Sequence, residues 1–427
     1  MVQRKVTYRL YPTRTQEAAL HHQRWVHCLI WNEALAERRR AWGEEGKSLS
    51  FSAQCKQLTT WRKQSPLLGG LNAQAEQVTL KRLDRAFQHF FRRVRNGDKP
   101  GFPRFKPLHR FKGWGYKTHG DGWRLITNER MKHGTLYLAG VGKVAIRGKP
   151  RTPGTPKTCE ILYKNGRWYA SVTLDCEPAR ERGARMGGLD WGVETLATVA
   201  TTDGTEAIPN PRPLQKTLDQ LRRAQKAVSR KETAAQRASG EQRGFPVSNR
   251  LARAYAEVRR LHDKVARQRK DFLHQTTAAL VRRYGALAVE DLNLKGMTAT
   301  GGAYKRGLNR HIRDAAGGAF HQMLGYKAAE AGAWVMEAPT RDLKPSQTCH
   351  ACSKQAKKPL AQRWHRCDCG ADCSRDENAA RVLLNWLDAQ LSGREPAEAW
   401  RAISPDHPQD GTARSAKRET PPIVGTA

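Results

Sequence analysis

The sequence predicts a multidomain fold of mixed α+β and α/β class: a β-barrel with an inserted helical domain, followed by an α/β domain that contains a cysteine-rich insertion. Three observations support this prediction. Short alternating segments typical of strands occur in two separate parts of the chain. Acidic residues end two predicted strands and begin the last predicted helix. Five of the nine cysteines lie between residues 349 and 373.

The overall charge indicates a polyanionic partner. The 427 residues include 76 lysines and arginines against 40 aspartates and glutamates, a formal net charge of +36. A membrane surface is the competing anionic partner, but no apolar run reaches the roughly 18 residues of a membrane span and no signal peptide is visible. We therefore expect a cytoplasmic nucleic-acid-binding protein with no membrane partner.

The first 180 residues predict a barrel interrupted by helices. Residues 2–10 alternate as a strand does, and the strands expected over residues 109–176 include a hairpin around Asn165-Gly166, a pair that favours type I′ turns. Helical patterns begin at the capping-box sequence Thr13–Gln16. The barrel is therefore assigned to residues 1–12 and 97–180, and the inserted helical domain to residues 13–96.

Basic side chains of this region are predicted nucleic-acid contacts. Lys81 and Arg85 lie on the polar surface of the third predicted helix, where the alternative is a solvated helix face. Arg104 and Lys106 alternate with phenylalanines in a segment rich in proline and glycine. Such interleaving suits base stacking beside phosphate contacts, although a packed loop would give the same pattern.

Three carboxylates predict a metal-dependent nuclease site. Asp190 ends a strand, Glu290 ends a later apolar strand, and Asp376 begins the final helix. In an RNase H-like domain these positions converge, and bound cations offset the repulsion between the carboxylates. Oxygen ligands favour Mg²⁺ or Mn²⁺, which would activate a water for phosphodiester hydrolysis. We expect this domain over residues 184–344 and 374–391.

The sequence also predicts the local structure of three further segments of this domain. Residues 231–249 are polar and predict a loop between two long basic helices. Residues 295–309 are rich in glycine and predict a loop that could act as a mobile lid. Residues 308–331 predict one continuous helix.

The cysteine cluster predicts a structural zinc site over residues 345–373. Cys349 and Cys352 have the usual spacing of a zinc knuckle, whereas Cys367 and Cys369 are one residue closer than usual. These four are the expected ligands, with Cys373 as the alternative to either member of the second pair. Zinc would be needed for folding, because the module is too small to have its own core. The tail, residues 392–427, is predicted to be disordered.

The chain resembles the TnpB family of transposon-encoded RNA-guided DNA nucleases, relatives of type V CRISPR effectors. The resemblance extends from Arg9 to about Leu391, and its most specific motifs are GLDWG (188–192), VEDL (289–292), SQTC (346–349) and RDENAA (375–380). It implies that the barrel is a wedge domain, the inserted helices a recognition domain, and the remainder a RuvC-like nuclease with a zinc-binding insertion. It also implies that Asp190, Glu290 and Asp376 are the catalytic triad.

The resemblance implies a guide RNA from the transposon end, double-stranded target DNA with a short flanking motif, and a bacterial, nucleoid-associated location. One nuclease site would then cut both strands in turn. Phe51, Gln54 and Gln77 lie where contacts to the flanking motif are expected, since glutamine suits adenine edges. Two alternatives are a guide-dependent repressor that does not cleave and a strand-joining transposase accessory protein. A monomer and a dimer are equally compatible with the sequence.

Overall fold

The computed structural model describes residues 2–177, 180–242, 244–359 and 361–392. These residues form two compact units, with the boundary after residue 178, and each unit is described by itself. The tail predicted over residues 392–427 lies outside the described residues, apart from Ser392. Within the described ranges, no helix is long and apolar enough to cross a membrane.

The first unit contains a seven-stranded antiparallel sheet that curves into a nearly closed barrel. Its strands are β1 (Val2–Tyr11) and, after a helical insertion, β2 (Gly113–Tyr116), β3 (Trp123–Ile126), β4 (Gly134–Leu138), β5 (Gly142–Arg147), β6 (Thr155–Lys164) and β7 (Arg167–Cys176). The order is β2-β6-β7-β1-β5-β4-β3. The N-terminal strand is therefore a member of the barrel sheet, as the sequence predicts, and it pairs with β7 and β5.

Every second side chain of the strands points inward, and these side chains form the barrel core. Val6, Tyr8 and Leu10 of β1 are buried beside three tryptophans from other strands. The Tyr8 hydroxyl donates a hydrogen bond to the Met131 carbonyl over 2.9 Å, so this buried polar group is paired. Asn165-Gly166, between β6 and β7, has φ values of 53° and 71°. A type I′ turn requires positive φ at both positions, and the predicted hairpin is confirmed.

Four helices lie between β1 and β2 in the chain: α1 (Arg14–Glu45), α2 (Phe51–Gln64), α3 (Pro66–Gly69) and α4 (Ala73–Arg95). The predicted capping box is present at the start of α1, where the Thr13 side chain accepts from the Gln16 backbone and the Gln16 side chain accepts from the Thr13 backbone. Leucines from α1, α2 and α4 form an apolar core separate from that of the barrel.

The second unit is built around a five-stranded sheet. Its strands are β8 (Arg185–Trp191), β9 (Thr195–Thr201), β10 (Gly204–Pro209), β11 (Tyr284–Glu290) and β12 (Trp334–Ala338). The order is β10-β9-β8-β11-β12. The first three strands in this order are antiparallel, whereas β11 is parallel to both β8 and β12. A separate hairpin, β13 (Trp364–Arg366) and β14 (Asp372–Ser374), lies in the cysteine-rich segment.

Helices connect the strands of this unit and cover both faces of its sheet. They are α5 (Pro213–Ser239), α6 (Asn249–Arg283), α7 (Leu294–Met297), α8 (Ala303–Ala315), α9 (Gly317–Ala331), α10 (Thr340–Leu343) and α11 (Arg375–Leu391). On one face, Leu287 of β11 packs with side chains of α6 and α9. On the other, Ala286 and Ala288 pack with Leu383 and Leu387 of α11.

Three sequence predictions in this unit are wrong in detail. Helix α5 continues through residues of high helix propensity to Ser239, so its connection to α6 is shorter than the loop predicted over 231–249. The segment 295–309, predicted as a loop, contains most of α7 and the first half of α8. The helix predicted over 308–331 is broken at Ala316, whose φ of 53° lies outside the helical range.

Candidate active site

The three predicted acids lie on elements that meet at one edge of the five-stranded sheet. Asp190 lies near the end of β8, Glu290 ends β11, and Asp376 lies in the first turn of α11. Leu189 and Val289 are paired in parallel register. The next residue of each strand, Asp190 and Glu290, therefore lies on the opposite face from this pair, and the two acids are neighbours there.

A glycine allows α11 to approach this face closely. A Cβ atom at Gly188 would lie 2.0 Å from the Ala380 carbonyl oxygen and 2.3 Å from the Leu384 nitrogen, so any side chain would displace the helix. Gly188 and Asp190 are two residues apart and share a strand face. Close packing of α11 on β8 therefore brings the turn that contains Asp376 toward Asp190.

Burial and mutual repulsion disfavour ionisation of these carboxyl groups. Burial first, and then the carboxylates of Glu290 and Asp376, raise the pKa of Asp190 well above its usual value. Burial raises the pKa of Glu290 to about 7, an effect that the Arg375 guanidinium opposes and Asp376 reinforces. A bound cation would stabilise the ionised forms. The donor set therefore fits a hard divalent cation with oxygen ligands.

Two sets of potential metal ligands are compact among the described residues. In each set the ligand atoms all lie within 4.8 Å of one another: the first is Cys349, Cys352, Cys367 and Cys369, and the second is Cys349, His350 and His365. The three acids do not form such a set.

The four cysteines predicted as zinc ligands form one compact cluster. Their sulfur atoms all lie within 4.8 Å of one another. The Sγ atoms of Cys349 and Cys369 are 3.6 Å apart, as are those of Cys352 and Cys367. Tetrahedral zinc with Zn–S bonds of about 2.3 Å requires S···S distances of about 3.8 Å. The cluster therefore fits a zinc ion.

The short spacing of the second cysteine pair is explained by a tight turn. Gly370, with φ of 90°, donates its backbone N–H to the Cys367 carbonyl and closes the turn that connects β13 to β14. Cys367 and Cys369 therefore lie on one turn and reach the same point. Cys373, the alternative ligand, lies on β14 opposite His365 and outside the four-sulfur cluster.

Hydrogen bonding favours the thiolate at Cys349. Burial raises the pKa of this thiol, but hydrogen bonds, above all those from the backbone of Cys352 and Ala351, lower its pKa overall. A thiolate is the form that binds metal, so the surroundings of Cys349 prepare it for ligation.

One predicted contact to the flanking motif, Gln54, is wrong. Its side chain is fully buried, donates to the Ala34 carbonyl over 2.9 Å and accepts from Arg38 over 2.7 Å. Gln54 lies on the face of α2 that packs against α1, so its side chain is not available to a ligand. Sequence spacing alone did not distinguish this buried face of α2 from its exposed face. Gln77 is exposed and Phe51 is half-buried, so both have surface available for a partner.

The basic residues predicted to contact nucleic acid differ in their exposure. Arg85 and Arg104 are exposed. Lys81 is half-buried, with its ammonium group 4.6 Å from the centre of the Phe51 ring. Lys106 is packed in the unit, where its ammonium lies 3.2 Å from the centre of the Trp31 ring and burial lowers its pKa to about 8. For Lys106 the packed-loop alternative is the better description.

Two residues near the site were part of a predicted motif but were given no role of their own by sequence reasoning. The Arg375 guanidinium favours ionisation of both Asp190 and Glu290, and Asn378 forms buried hydrogen bonds close to Asp376. Both lie in the RDENAA motif, which was the available signal. Their roles depend on partners distant in sequence, and for that reason the motif alone did not reveal them.

Comparisons with known proteins identify related families over most of the chain. A family model described as "Probable transposase", OrfB of IS605, matches residues 169–300. A Cas12f1-like TNB domain model matches residues 318–383, which include the cysteine cluster, and a helix-turn-helix domain model matches residues 1–47. In this chain the last range forms a strand and one long helix. These matches define the class of transposon-encoded OrfB-type proteins.

Relatives that align over nearly the whole of both chains show the family. A Streptomyces pristinaespiralis protein described as a putative RNA-guided DNA endonuclease is 31% identical over 98% of this chain and 96% of its own length. Escherichia coli K12 InsQ, with the same description, is 27% identical over 93% of this chain and 95% of its own. The chain belongs to the TnpB family. A Cas12f1 chain solved with sgRNA and target DNA has a similar fold, with a TM-score of 0.53 at 14% identity over 87% of this chain and 83% of that one.

Proposed function

We propose that this protein is an RNA-guided, divalent-metal-dependent DNA endonuclease that pairs a guide RNA with target DNA beside a short flanking motif. The observation that supports this most directly is the convergence of Asp190, Glu290 and Asp376 on one face of the second unit's sheet. This sheet and α11 form a RuvC-like nuclease domain over residues 184–344 and 374–391. Its single site cleaves both strands in turn.

The three carboxylates would hold the divalent cations, Asp190 and Glu290 from adjacent strands and Asp376 from the helix that lies across them. Mg²⁺ or Mn²⁺ held there would supply activation of a water and stabilisation of the leaving oxygen of the phosphodiester. Arg375 keeps these carboxyl groups closer to their ionised form, because its charge lowers the pKa of both strand acids.

Nucleic-acid binding is assigned to both units. The barrel (1–12 and 97–180) acts as a wedge domain, and the inserted helices (13–96) act as a recognition domain that reads the flanking motif with exposed or half-buried residues: Phe51, Gln77, Lys81, Arg85 and Arg104. In the second unit, α5 and α6 have a large excess of basic over acidic residues. Such surfaces bind phosphate backbones without regard to sequence. The guide RNA is transcribed from the end of the transposon.

The test of this function is cleavage of a programmed target. RNA that co-purifies with the protein is sequenced to identify the guide, and a plasmid library with a guide-matched target and randomised flanking sequence is incubated with the complex in Mg²⁺. We expect cleavage of matched plasmids with one flanking motif and none of an unmatched plasmid. Binding of the matched plasmid without cleavage would instead support the guide-dependent repressor.

Metal binding by the triad is expected to weaken as the pH falls through about 7. Below this pH Glu290 is protonated, and the proton must leave before the carboxylate can bind a cation. Asp190 contributes in the same direction, because its pKa is raised too. The Mn²⁺ concentration that gives half-maximal cleavage should therefore rise up to roughly tenfold per pH unit for each proton released.

The measurement is a Mn²⁺ titration of the cleavage rate at several pH values from 5.5 to 8.5. Guide binding measured at each pH is the control, since it should change little over this range. A half-maximal Mn²⁺ concentration that is the same at pH 6 and pH 8 would contradict the raised pKa of these carboxyl groups.

A further inference from the structure

Asn378 is a fully buried amide on the helix that contains Asp376, with an exposed fraction of 0%. A buried amide is destabilising unless its donors and acceptor are paired. Its Nδ2 donates to the carbonyl oxygens of Pro345 and Thr348 over 3.2 and 2.7 Å. Its Oδ1 accepts from the backbone N–H of His350 over 3.1 Å. One short segment, 345–350, therefore satisfies the whole side chain.

This segment leads into the first cysteine pair, and His350 is its main contact with α11. His350 Nδ1 lies 3.1 Å from Asn378 Oδ1, and because an amide oxygen only accepts, Nδ1 carries the ring proton. The Arg381 guanidinium lies 3.4 Å from Nε2, and Asn385 donates to the His350 carbonyl over 2.7 Å. Both ring nitrogens of His350 thus lie within hydrogen-bonding distance of α11, so the residue docks the helix against the cysteine segment.

Asn378 and Asp376 lie in the same helical turn, since a turn contains about 3.6 residues. The hydrogen bonds of Asn378 fix both the rotation of this turn and its distance from the cysteine segment. At Gly188 the same helix rests directly on β8. Asn378 and the packing at Gly188 therefore both constrain the position of Asp376 relative to the two strand acids, beside the Ser374 cap at the start of the helix.

We propose that Asn378 is a positioning residue that, through His350, couples the zinc-bound cysteine segment to Asp376 and so sets how tightly the triad binds divalent cations. This inference rests on the proposed function, because it assigns the metal site to the triad. It assigns Asn378 no contact with substrate or metal. It also gives His350, which lies between two zinc ligands in the sequence, a role separate from ligation.

The test compares Asn378→Ala with Asn385→Ala. The two asparagines lie on the same helix and contact the same histidine, but Asn385 is exposed and more than two turns from Asp376. The full-length protein is loaded with zinc, its zinc content is measured, and Mn²⁺ is titrated in the absence of nucleic acid by electron paramagnetic resonance. The cleavage rate on a guide-matched target is then measured at saturating and limiting Mn²⁺.

We expect Asn378→Ala to retain zinc but to bind Mn²⁺ about tenfold or more weakly, with cleavage reduced most at limiting Mn²⁺. Asn385→Ala should match the wild type. Equal Mn²⁺ affinity in the two variants, or loss of zinc from Asn378→Ala, would overturn the proposal. If Asn378→Ala does not fold, Asn378→Ser takes its place. Serine retains a hydroxyl but cannot make all of the hydrogen bonds of Asn378, so this variant should bind Mn²⁺ more weakly than the wild type. Mn²⁺ binding without any cleavage by the wild type would count against the proposed function and not against this role of Asn378.

Discussion

Asp190→Ala is expected to abolish detectable cleavage of a guide-matched plasmid while leaving binding of guide RNA and target DNA intact. Asp190 is the most central of the three acids, because both Glu290 and Asp376 act on its pKa. Its removal takes a negatively charged ligand from the metal site and leaves two carboxylates to hold the ions. Metal catalysis contributes several kcal/mol to such reactions, so we expect the rate to fall roughly a thousandfold or more.

The matched control is Asp291→Asn. Asp291 follows Glu290 directly, lies just beyond the end of β11 and is exposed. Its backbone N–H donates to the Thr340 hydroxyl over 2.9 Å, and the substitution leaves that bond in place. Cleavage by Asp291→Asn should remain within about twofold of the wild type, since surface changes of this kind have small effects.

Plasmid nicking and linearisation, measured beside filter binding of labelled target, separate chemistry from binding. Glu290→Gln and Asp376→Asn should behave as Asp190→Ala does. Intact cleavage by Asp190→Ala would rule out the triad, and equal loss from Asp291→Asn would show that the effect is not specific to the site. Loss of target binding together with cleavage would mean that Asp190 maintains the fold.

Local patterns were sufficient to predict most strands and several helix starts. The alternation of Val6, Tyr8 and Leu10, the capping box at Thr13 and the turn at Asn165-Gly166 depend on neighbours a few residues away, and the structure matches them. The order of strands in the barrel required the structure, because many pairings satisfy the same alternation.

The acids could be predicted as a set because each lies at the end of a regular element. Their electrostatic coupling could not, since it depends on Gly188 allowing α11 to approach β8. The predicted nucleic-acid contacts at Gln54 and Lys106 failed for the same reason, since both depend on packing between elements distant in sequence. Gln54 lies on a helix whose burial is set by α1, and Lys106 lies in a loop whose contact with Trp31 is long-range. Sequence spacing identifies a helix face but not the element that covers it.

Loss of zinc is expected to reduce cleavage even though zinc takes no part in the chemistry. The double variant Cys349→Ser plus Cys352→Ser removes two of the four sulfurs that lie within 4.8 Å of one another. Serine is a poor zinc ligand at neutral pH, so the variant should lose its tightly bound zinc. Cys349 adjoins His350, and without the metal the segment bonded to α11 loses its constraint.

The expected size of this effect is smaller than that of Asp190→Ala. The carboxylates remain, but the turn that contains Asp376 is less well fixed, and loss of such supporting structure typically costs about ten- to a hundredfold in activity or metal affinity. Zinc content is measured by elemental analysis and cleavage on the guide-matched plasmid, with guide binding as a check that the rest of the chain is folded.

Cys373→Ser is the matched control, and it also tests the ligand set. Cys373 is buried in the same module, yet its sulfur lies outside the four-sulfur cluster. If Cys349, Cys352, Cys367 and Cys369 are the ligands, Cys373→Ser retains zinc and most of its cleavage activity. Zinc loss from Cys373→Ser would make it a ligand in place of Cys367 or Cys369. The link through His350 and Asn378 predicts slower cleavage whenever the cysteine segment is released from its metal. Unchanged cleavage by the zinc-free double variant would therefore show that the module does not position Asp376.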